Sequence, residues 1–182
     1  MRALVVFESI LGNTEVVARA IAEGLREGGG AGSSVEVVEV GAAPTTIPSG
    51  VDLLVIGGPT HAHGMTNPDS RASAARKAQR PVISTGVGIR EWLAAVGAAP
   101  AGITAAAFDT RIKGPGLLWG SAAKAATGRL KEQGFLMAAS PESFLINGPT
   151  GPVHDVLMAG EADRARSWGA TLATKAGAAT PG

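Results

Sequence analysis

The sequence predicts an α/β fold, with an open, doubly wound and mostly parallel sheet of about five strands. Two observations lead to this prediction. Apolar runs such as Leu4–Phe7 and Leu53–Ile56 are short and continuous, as in strands that helices cover on both faces. Between such runs, apolar residues recur at helical spacing, as they do over Val16–Leu25, so that strands and helices alternate along the chain.

The first half of the chain shows this alternation most clearly. The strand Leu4–Phe7 leads into a helix with charged residues on its outer face, and the glycines Gly28–Gly30 stop that helix. Valine and glutamate then alternate over Val35–Val40, as in a half-covered strand. A short helix could lie within Gly41–Gly50, before the next buried strand, Leu53–Ile56.

In the second half, Gly57–Pro59 is predicted to end the third strand. No crossover helix fits between the apolar runs Phe135–Ala139 and Phe144–Ile146, so we expect one broken strand, or a strand and an edge segment. We expect one domain over residues 1–176 and a flexible tail over 177–182. The remaining predicted elements are a strand at Ile103–Phe108 and helices at Ser70–Gln79, Arg90–Val96, Gly120–Gln133 and Glu161–Ala176.

Composition narrows the possible functions. The 182 residues include no cysteine, which excludes disulfides and thiolate chemistry and fits a reducing compartment, so we expect a cytoplasmic protein. Sixteen basic and fifteen acidic residues give a net charge of +1, which offers no field for bulk binding to nucleic acid or anionic lipid. The run Leu4–Phe7 is too short for a membrane span and has no small-residue cleavage site after it.

The first strand–helix junction, Ser9–Thr14, has the features of a phosphate-binding loop. Ligands of open parallel sheets bind outside the carboxyl ends of the strands, and the N–H groups at a helix start favour an anion. Ser9, Asn13 and Thr14 add side-chain donors, and Gly12 permits a backbone conformation that other residues resist. Locally, a simple helix cap explains the same residues equally well.

Two better-known phosphate motifs do not fit this junction. It contains neither the dinucleotide fingerprint G-x-G-x-x-G nor the P-loop pattern G-x-x-x-x-G-K-[ST]. No lysine follows the loop, which argues against hydrolysis of ATP or GTP.

The junction resembles the phosphate loop of the flavodoxin family, which typically reads aromatic-x-Ser/Thr-x-Thr-Gly-Asn-Thr-Glu. The resemblance continues at Gly57–Thr60, after the third strand, and at Phe108–Thr110, after the fourth. The order of elements matches over nearly the whole chain. The residues that stand at matching positions of the first loop are Phe7, Ser9, Gly12, Asn13, Thr14 and Glu15.

This resemblance implies a sheet of order 2-1-3-4-5 and a bound FMN cofactor at three strand ends. It implies that the first loop binds the FMN phosphate and that the other two loops flank the isoalloxazine ring. The implied phosphate-binding residues are Ser9, Ile10, Leu11, Gly12, Asn13 and Thr14. The implied ring-flanking residues are Pro59, Thr60, His61, His63, Phe108, Asp109, Thr110 and Arg111.

The chain departs from the family pattern in three respects. Ile10 and Leu11 replace hydroxyl residues that usually contact the phosphate, which leaves only their backbone donors. The chain has no tyrosine to stack on the flavin. It is also neutral, whereas typical flavodoxins are acidic. The residues that could cover the ring instead are His61, His63, Met65, Phe108 and Trp119.

The neutral charge has an electrochemical consequence. Arg111 and Lys113 follow Asp109 in the loop nearest the expected ring. A cation there attracts the anionic reduced flavin, so we expect a higher reduction potential than in acidic flavodoxins and a tendency to two-electron reduction.

Other polar clusters have simpler interpretations. His61 and His63, with Asp69 nearby, lack a third ligand in place, so we expect no metal site. The basic residues between Arg71 and Arg80 fit a solvated helix face, and an acidic redox partner or a nucleotide phosphate is the alternative. His154 and Asp155 precede the last helix and are interpreted as loop or capping residues.

The leading hypothesis is therefore an FMN-binding redox domain, which exchanges electrons with a protein partner or reduces a small acceptor such as a quinone or a nitro compound. The alternative is a flavodoxin-like domain that has lost tight flavin binding and serves as an interaction module. A third hypothesis is a different phosphate ligand at the same junction. The sequence identifies no catalytic acid or base.

Overall fold

The computed structural model describes residues 1–61, 64–78, 81–114, 120–148 and 156–178. The strands and helices alternate as expected. Helix α5 extends to Ala178, into the first part of the predicted tail, and residues 179–182 lie outside the described residues, so the flexibility of the tail stays a prediction. The strands are β1 Arg2–Phe7, β2 Ser34–Glu39, β3 Leu53–His61, β4 Gly64–Met65, β5 Thr104–Ile112, β6 Leu136–Met137 and β7 Glu142–Ile146. The helices are α1 Asn13–Gly28, α2 Pro68–Lys77, α3 Ile89–Val96, α4 Ala122–Glu132 and α5 Glu161–Ala178.

The sheet has the predicted strand order. Its path is β2-β1-β3-β5-β6, and all four neighbouring pairs are parallel. Both β6 and β7 pair with β5, at Thr104–Ala105 and at Phe108–Ile112 respectively, so they form one strand broken around Pro141. Counted as positions across the parallel sheet, the order is 2-1-3-4-5.

Helices cover both faces of this sheet, as a doubly wound fold requires. On one face, α1 and α5 pack over Val5, Val55 and Ala106. On the other face, α3 and α4 pack over Leu54 and Ile56, together with the chain that joins β2 to β3. Among the described residues, no helix is long and apolar enough to cross a membrane.

One expected strand boundary is wrong. Gly57–Pro59 does not end the third strand: β3 runs on to His61, and its last two residues pair with the antiparallel β4. Proline has no N–H to donate to a neighbouring strand, but β3 tolerates Pro59 because β1 ends opposite Gly57. Beyond that point, the only parallel strand that pairs with β3 is β5. The Gly41–Gly50 segment holds no α-helix, only a 3₁₀ turn at Val40–Ala42.

The contact between α1 and α5 depends on glycines. A Cβ on Gly24 of α1 would lie 1.8 Å from the carbonyl oxygen of Arg166, and one on Gly169 of α5 would lie 2.2 Å from that of Ile21. The two backbones therefore approach more closely than any side chain allows. This places α1, and with it the loop before α1, at a fixed position over β1.

Candidate functional site

The candidate site lies at the topological switch point of the sheet. From β1 the chain goes to β2 on one side, and it then crosses to β3 on the other side of β1. The loops that follow β1 and β3 consequently leave toward opposite faces and open a crevice between them. The predicted loop Ser9–Thr14 and the end of β3 border this crevice.

The loop is held in shape by the Ser9 hydroxyl. Its Oγ accepts hydrogen bonds from the Gly12 N–H, at 3.1 Å, and from the Glu15 N–H, at 3.4 Å. Gly12, directly before α1, has φ +93°, a left-handed conformation that glycine adopts without strain. Gly12 occupies the N-cap position of α1 without a side-chain cap, and the Ser9 hydroxyl, three residues earlier, is the side-chain acceptor at this helix start.

Several donors of the loop nevertheless find no partner. The backbone N–H groups of Ile10 and Leu11 donate to no described residue, and neither does the hydroxyl hydrogen of Ser9. Ile10 itself points into the core, with 4% of its surface exposed. The replacement of hydroxyl residues at 10 and 11 therefore leaves the backbone donors of the loop in place.

Thr14 and Asn13 connect the loop to distant segments. The Thr14 and Thr110 hydroxyls lie 2.8 Å apart and are both buried, so one of them donates and the other keeps its own hydrogen for another acceptor. The Asn13 Oδ1 accepts the Leu157 N–H at 3.0 Å, just before α5. The structure thus brings Thr110, expected beside the ring, to the Ser9–Thr14 loop.

A segment that the sequence did not reveal lies over the loop. We call residues 82–84, between α2 and α3, the strap. The Ile83 and Ser84 N–H groups donate to the carbonyls of Ile10 and Ser9, at 3.2 and 2.8 Å. The Ser84 hydroxyl accepts the Ser9 N–H at 2.9 Å and donates to Glu39 at 2.6 Å. The strap therefore takes up the Ser9 N–H that a phosphate could otherwise use.

Thr60 and Asp109, expected beside the ring, join the strand ends to the start of α4. The buried Oδ2 of Asp109 accepts hydrogen bonds from the hydroxyls of Thr60, at 2.9 Å, and of Ser121, at 2.6 Å, and from the Ala123 N–H at 3.0 Å. Thr60 Oγ1 also accepts the Ala122 N–H at 2.9 Å. Both residues act first as caps of α4, which fixes the position of this helix at the crevice.

Phe108 corrects an expectation about ring cover. Its side chain is 1% exposed and makes edge-to-face contacts with Phe144 and Trp168 in the core, so it is not available to cover a flavin. A Cβ on Gly57 would overlap its ring, at 2.1 Å from Cζ. The Phe-Asp-Thr pattern thus reflects packing at its first position, where an aromatic side chain fills the space above Gly57.

Some of the residues singled out in the sequence are outside the described chain. These are His63 and Trp119, expected near the ring, and His154 and Asp155, interpreted as loop or capping residues. His61, at the end of β3, is half-buried, and burial lowers the pKa of its imidazole, which favours the neutral form at neutral pH. Within the described ranges, no group of histidine, cysteine and carboxylate residues is arranged to hold a metal ion.

A buried polar network that sequence reasoning missed lies beside the crevice. Glu8, directly after β1, is 1% exposed. It accepts the Thr66 hydroxyl at 2.5 Å and the Ile89 N–H at 2.9 Å, at the first residue of α3. Arg71 joins the network by donating to Thr66 Oγ1 at 3.0 Å and pairing with Glu91 at 3.0 Å. Burial raises the pKa of Glu8, and its hydrogen bonds and Arg71 offset only part of this effect.

This raised pKa predicts an unusual pH dependence of stability. Between the ordinary glutamate value of 4.5 and the higher value in the fold, the native state binds more protons than the unfolded chain. Stability contributed by Glu8 is therefore present below pH 4.5 and falls as the pH rises through this window. Glu8→Gln cannot titrate, so we expect the stability of the native protein relative to this variant to decrease with rising pH.

Urea unfolding of both proteins at a series of pH values measures this stability difference. The pH-dependent contributions of the other carboxylates cancel because both proteins contain them. The exposed Glu36, changed to Gln, is the matched control, and its difference from the native protein should not follow this trend. If the stability of the native protein relative to Glu8→Gln stayed constant or increased with rising pH, burial would not be the dominant influence on the pKa of Glu8.

Comparison with known proteins identifies the fold. The chain matches no protein-family model, and no curated protein sequence matches it. A flavodoxin from the domain Archaea superposes with a TM-score of 0.63 at 17% identity, over 97% of this chain and 99% of that one. Oxidised flavodoxin 1 from Bacillus cereus superposes with a TM-score of 0.63 at 18% identity, over 94% of this chain and 97% of that one.

A larger protein contains the same architecture. The Flv1 flavodiiron core from Synechocystis sp. PCC6803 superposes with a TM-score of 0.63 at 15% identity, over 99% of this chain and 37% of that one. Likeness at these identities establishes the fold. The chain has a flavodoxin-like fold, as the resemblance of its three loops implied.

Proposed function

We propose that this chain binds FMN at the switch point of its sheet and acts as a redox protein. In this role it passes electrons to a protein partner or reduces a small acceptor such as a quinone. The observation that carries the proposal is the set of donors without partners at the Ser9–Thr14 loop. Donors that find no protein partner in a loop at a helix start favour an anionic ligand.

This donor set suits a phosphate group. It consists of the Ser9 hydroxyl hydrogen, one hydroxyl hydrogen of the Thr14–Thr110 pair, and the backbone N–H groups of Ile10 and Leu11. The Ser9, Ile10 and Leu11 donors precede α1, and the Thr14–Thr110 pair lies at its first turn, where the helix N-terminus favours negative charge. A phosphate has three acceptor oxygens and close to two negative charges, so it can satisfy such a group of donors.

The remaining residues support a flavin beside this loop. Bound FMN would supply the electron transfer itself, while the protein supplies binding, orientation and electrostatics. Thr60 and Asp109 join the ends of β3 and β5 to the start of α4, which fixes these strand ends beside the loop. Lys113 is exposed at the end of β5, and its charge together with that of Arg111 favours the anionic reduced flavin. The proposed potential is accordingly higher than in acidic flavodoxins.

The test is a titration of the purified protein with FMN. We expect the flavin fluorescence to be quenched and its visible absorption bands to shift, with saturation at one FMN per chain. Circular dichroism before and after the titration checks that the protein is folded. A folded protein that neither quenches nor shifts the flavin at high micromolar FMN would refute the proposal.

A specific observation favours a second candidate function, that of an interaction module without flavin. The strap closes over the loop, and the Ile83 side chain comes within 3.8 Å of the position that a Cβ on Gly12 would occupy. Ile83 remains 38% exposed there. If the strap stays closed, the loop is capped by protein, and the exposed Ile83 becomes part of a surface for a partner protein.

A further inference from the structure

We propose a second anion-binding site, in the cleft between α2 and residues 82–86, for the phosphate or carboxylate group of a small molecule. The cleft has a volume of about 180 Å³. Arg71, Ala72 and Ala75 line it from α2, and Ser84 and Thr85 line it from the opposite wall. It is distinct from the Ser9–Thr14 loop, and the inference does not depend on flavin binding.

The buried guanidinium of Arg71 carries the inference. Its side chain is 8% exposed, and it lies against Gly88, where an added Cβ would meet Nη1 at 2.3 Å. Nη1 serves both protein partners, Thr66 Oγ1 and Glu91 Oε2, each at 3.0 Å. Nε and Nη2 donate to no described residue.

The Nε and Nη2 donors are not among the enclosed, unpartnered polar atoms of the described residues, so water or a ligand can reach them. The Nε and Nη2 donors form a fixed planar fork, which matches two oxygens of a carboxylate or phosphate. Because Arg71 lines the cleft, a group of this kind can reach the fork from the cleft. A volume of about 180 Å³ accommodates such a group with a small part of the molecule that carries it.

The surrounding charges permit an anion there. Carboxylates face Arg71 from two elements, Glu8 after β1 and Glu91 on α3. The Glu91 carboxylate is already paired: burial raises the pKa of Glu91, but the Gly88 N–H and Arg71 lower it by more, so it is ionised at neutral pH. Together, α2, α3 and Glu8 carry more positive than negative side chains. The cations are Arg71, Arg76, Lys77 and Arg90, and the carboxylates are Glu8, Asp69 and Glu91.

The strap separates the two sites. Ser84 lines the cleft and also binds Ser9, at the start of the loop. Ser84 therefore lies between a ligand in the cleft and the Ser9–Thr14 loop. This position suits the anionic group of a small molecule that approaches the crevice.

Inorganic phosphate is the first probe, and acetate is titrated in parallel to distinguish phosphate from carboxylate. Amide NMR shifts of Thr85 and Gly86 report the cleft, and those of Ile10 and Leu11 report the loop. We expect a saturable shift at Thr85 and Gly86 with at least one of the two anions. A repeat with saturating FMN keeps the loop occupied and should leave the cleft response in place.

Variants test the position of the site without removing Arg71, whose loss would also disturb Glu8. Ala72→Glu places a negative charge on the cleft wall, and we expect it to weaken anion binding at Thr85 and Gly86 at least about tenfold. The matched control is Ala125→Glu, on the exposed face of α4, which should bind as the native protein does. Arg71→Lys keeps the charge but loses the fork, and it should weaken binding as well.

Three results would overturn the proposal. The first is the absence of a saturable shift at Thr85 and Gly86 with either anion. The second is equal affinity in Ala72→Glu and Ala125→Glu. The third is a response confined to Ile10 and Leu11, because the anion would then bind the loop and not the cleft.

Discussion

Gly24→Ala is expected to destabilise the protein by about 3 kcal/mol or more, which is the upper part of the range for overpacked cores. The new Cβ would lie 1.8 Å from the Arg166 carbonyl oxygen and 2.8 Å from the Ala170 nitrogen. Both are backbone atoms of α5, so no side-chain rotation relieves the overlap. The helices α1 and α5 must separate, and α1 then moves away from β1. Urea unfolding followed by circular dichroism measures the loss.

Gly128→Ala provides the matched control. Gly128 lies in α4, and a Cβ there meets nothing within 4 Å. Alanine restricts the unfolded chain and favours the helix, so we expect stabilisation by about 0.5–1 kcal/mol. If both variants changed stability alike, helix propensity and not the close contact of α1 with α5 would determine the role of Gly24.

Leu11→Asp is expected to weaken FMN binding by about 100-fold. Its carboxylate would stand in the proposed phosphate loop, and repulsion between it and a phosphate about 6 Å away amounts to roughly 2–3 kcal/mol at an intermediate effective dielectric constant. The same charge lies just before α1, where a carboxylate favours the helix. The fold should therefore not lose stability on this account. Fluorescence titration with FMN measures the affinity.

Leu11→Asn separates charge from the loss of the leucine side chain. It has nearly the shape of Leu11→Asp without its charge, and it should bind FMN within a few-fold of the native protein. Equal FMN affinity in the two variants would mean that position 11 does not face the phosphate, and the proposed orientation of the loop would then be wrong.

Local pattern was enough to predict most of the architecture. The runs at Leu4–Phe7 and Leu53–Ile56 are buried strands, and the helical spacing over Val16–Leu25 corresponds to α1. The extension of β3 through Gly57–Pro59 could not be read this way. Glycine and proline usually mark a strand end, and here they are accommodated because β1 stops opposite Gly57.

The site was less predictable because its contacts join distant parts of the chain. The spacing of Ser9, Gly12 and Thr14 identified the loop, but nothing near it in sequence indicates that Ser84, 75 residues later, binds Ser9. Glu8 likewise gave no local sign that it is buried, because its partners Thr66 and Ile89 are 58 and 81 residues away. Only the three-dimensional fold brings these groups together.

The central claim is that the Ser9–Thr14 loop binds the phosphate of FMN, and a comparison of FMN with riboflavin tests it most directly. The two ligands share the isoalloxazine ring and differ in the phosphate. Since hydrogen bonds to a charged group contribute about 1.5–3 kcal/mol each, we expect FMN to bind at least about 100-fold more tightly than riboflavin. Equal affinities for the two flavins, or no binding of either by the folded protein, would contradict the claim.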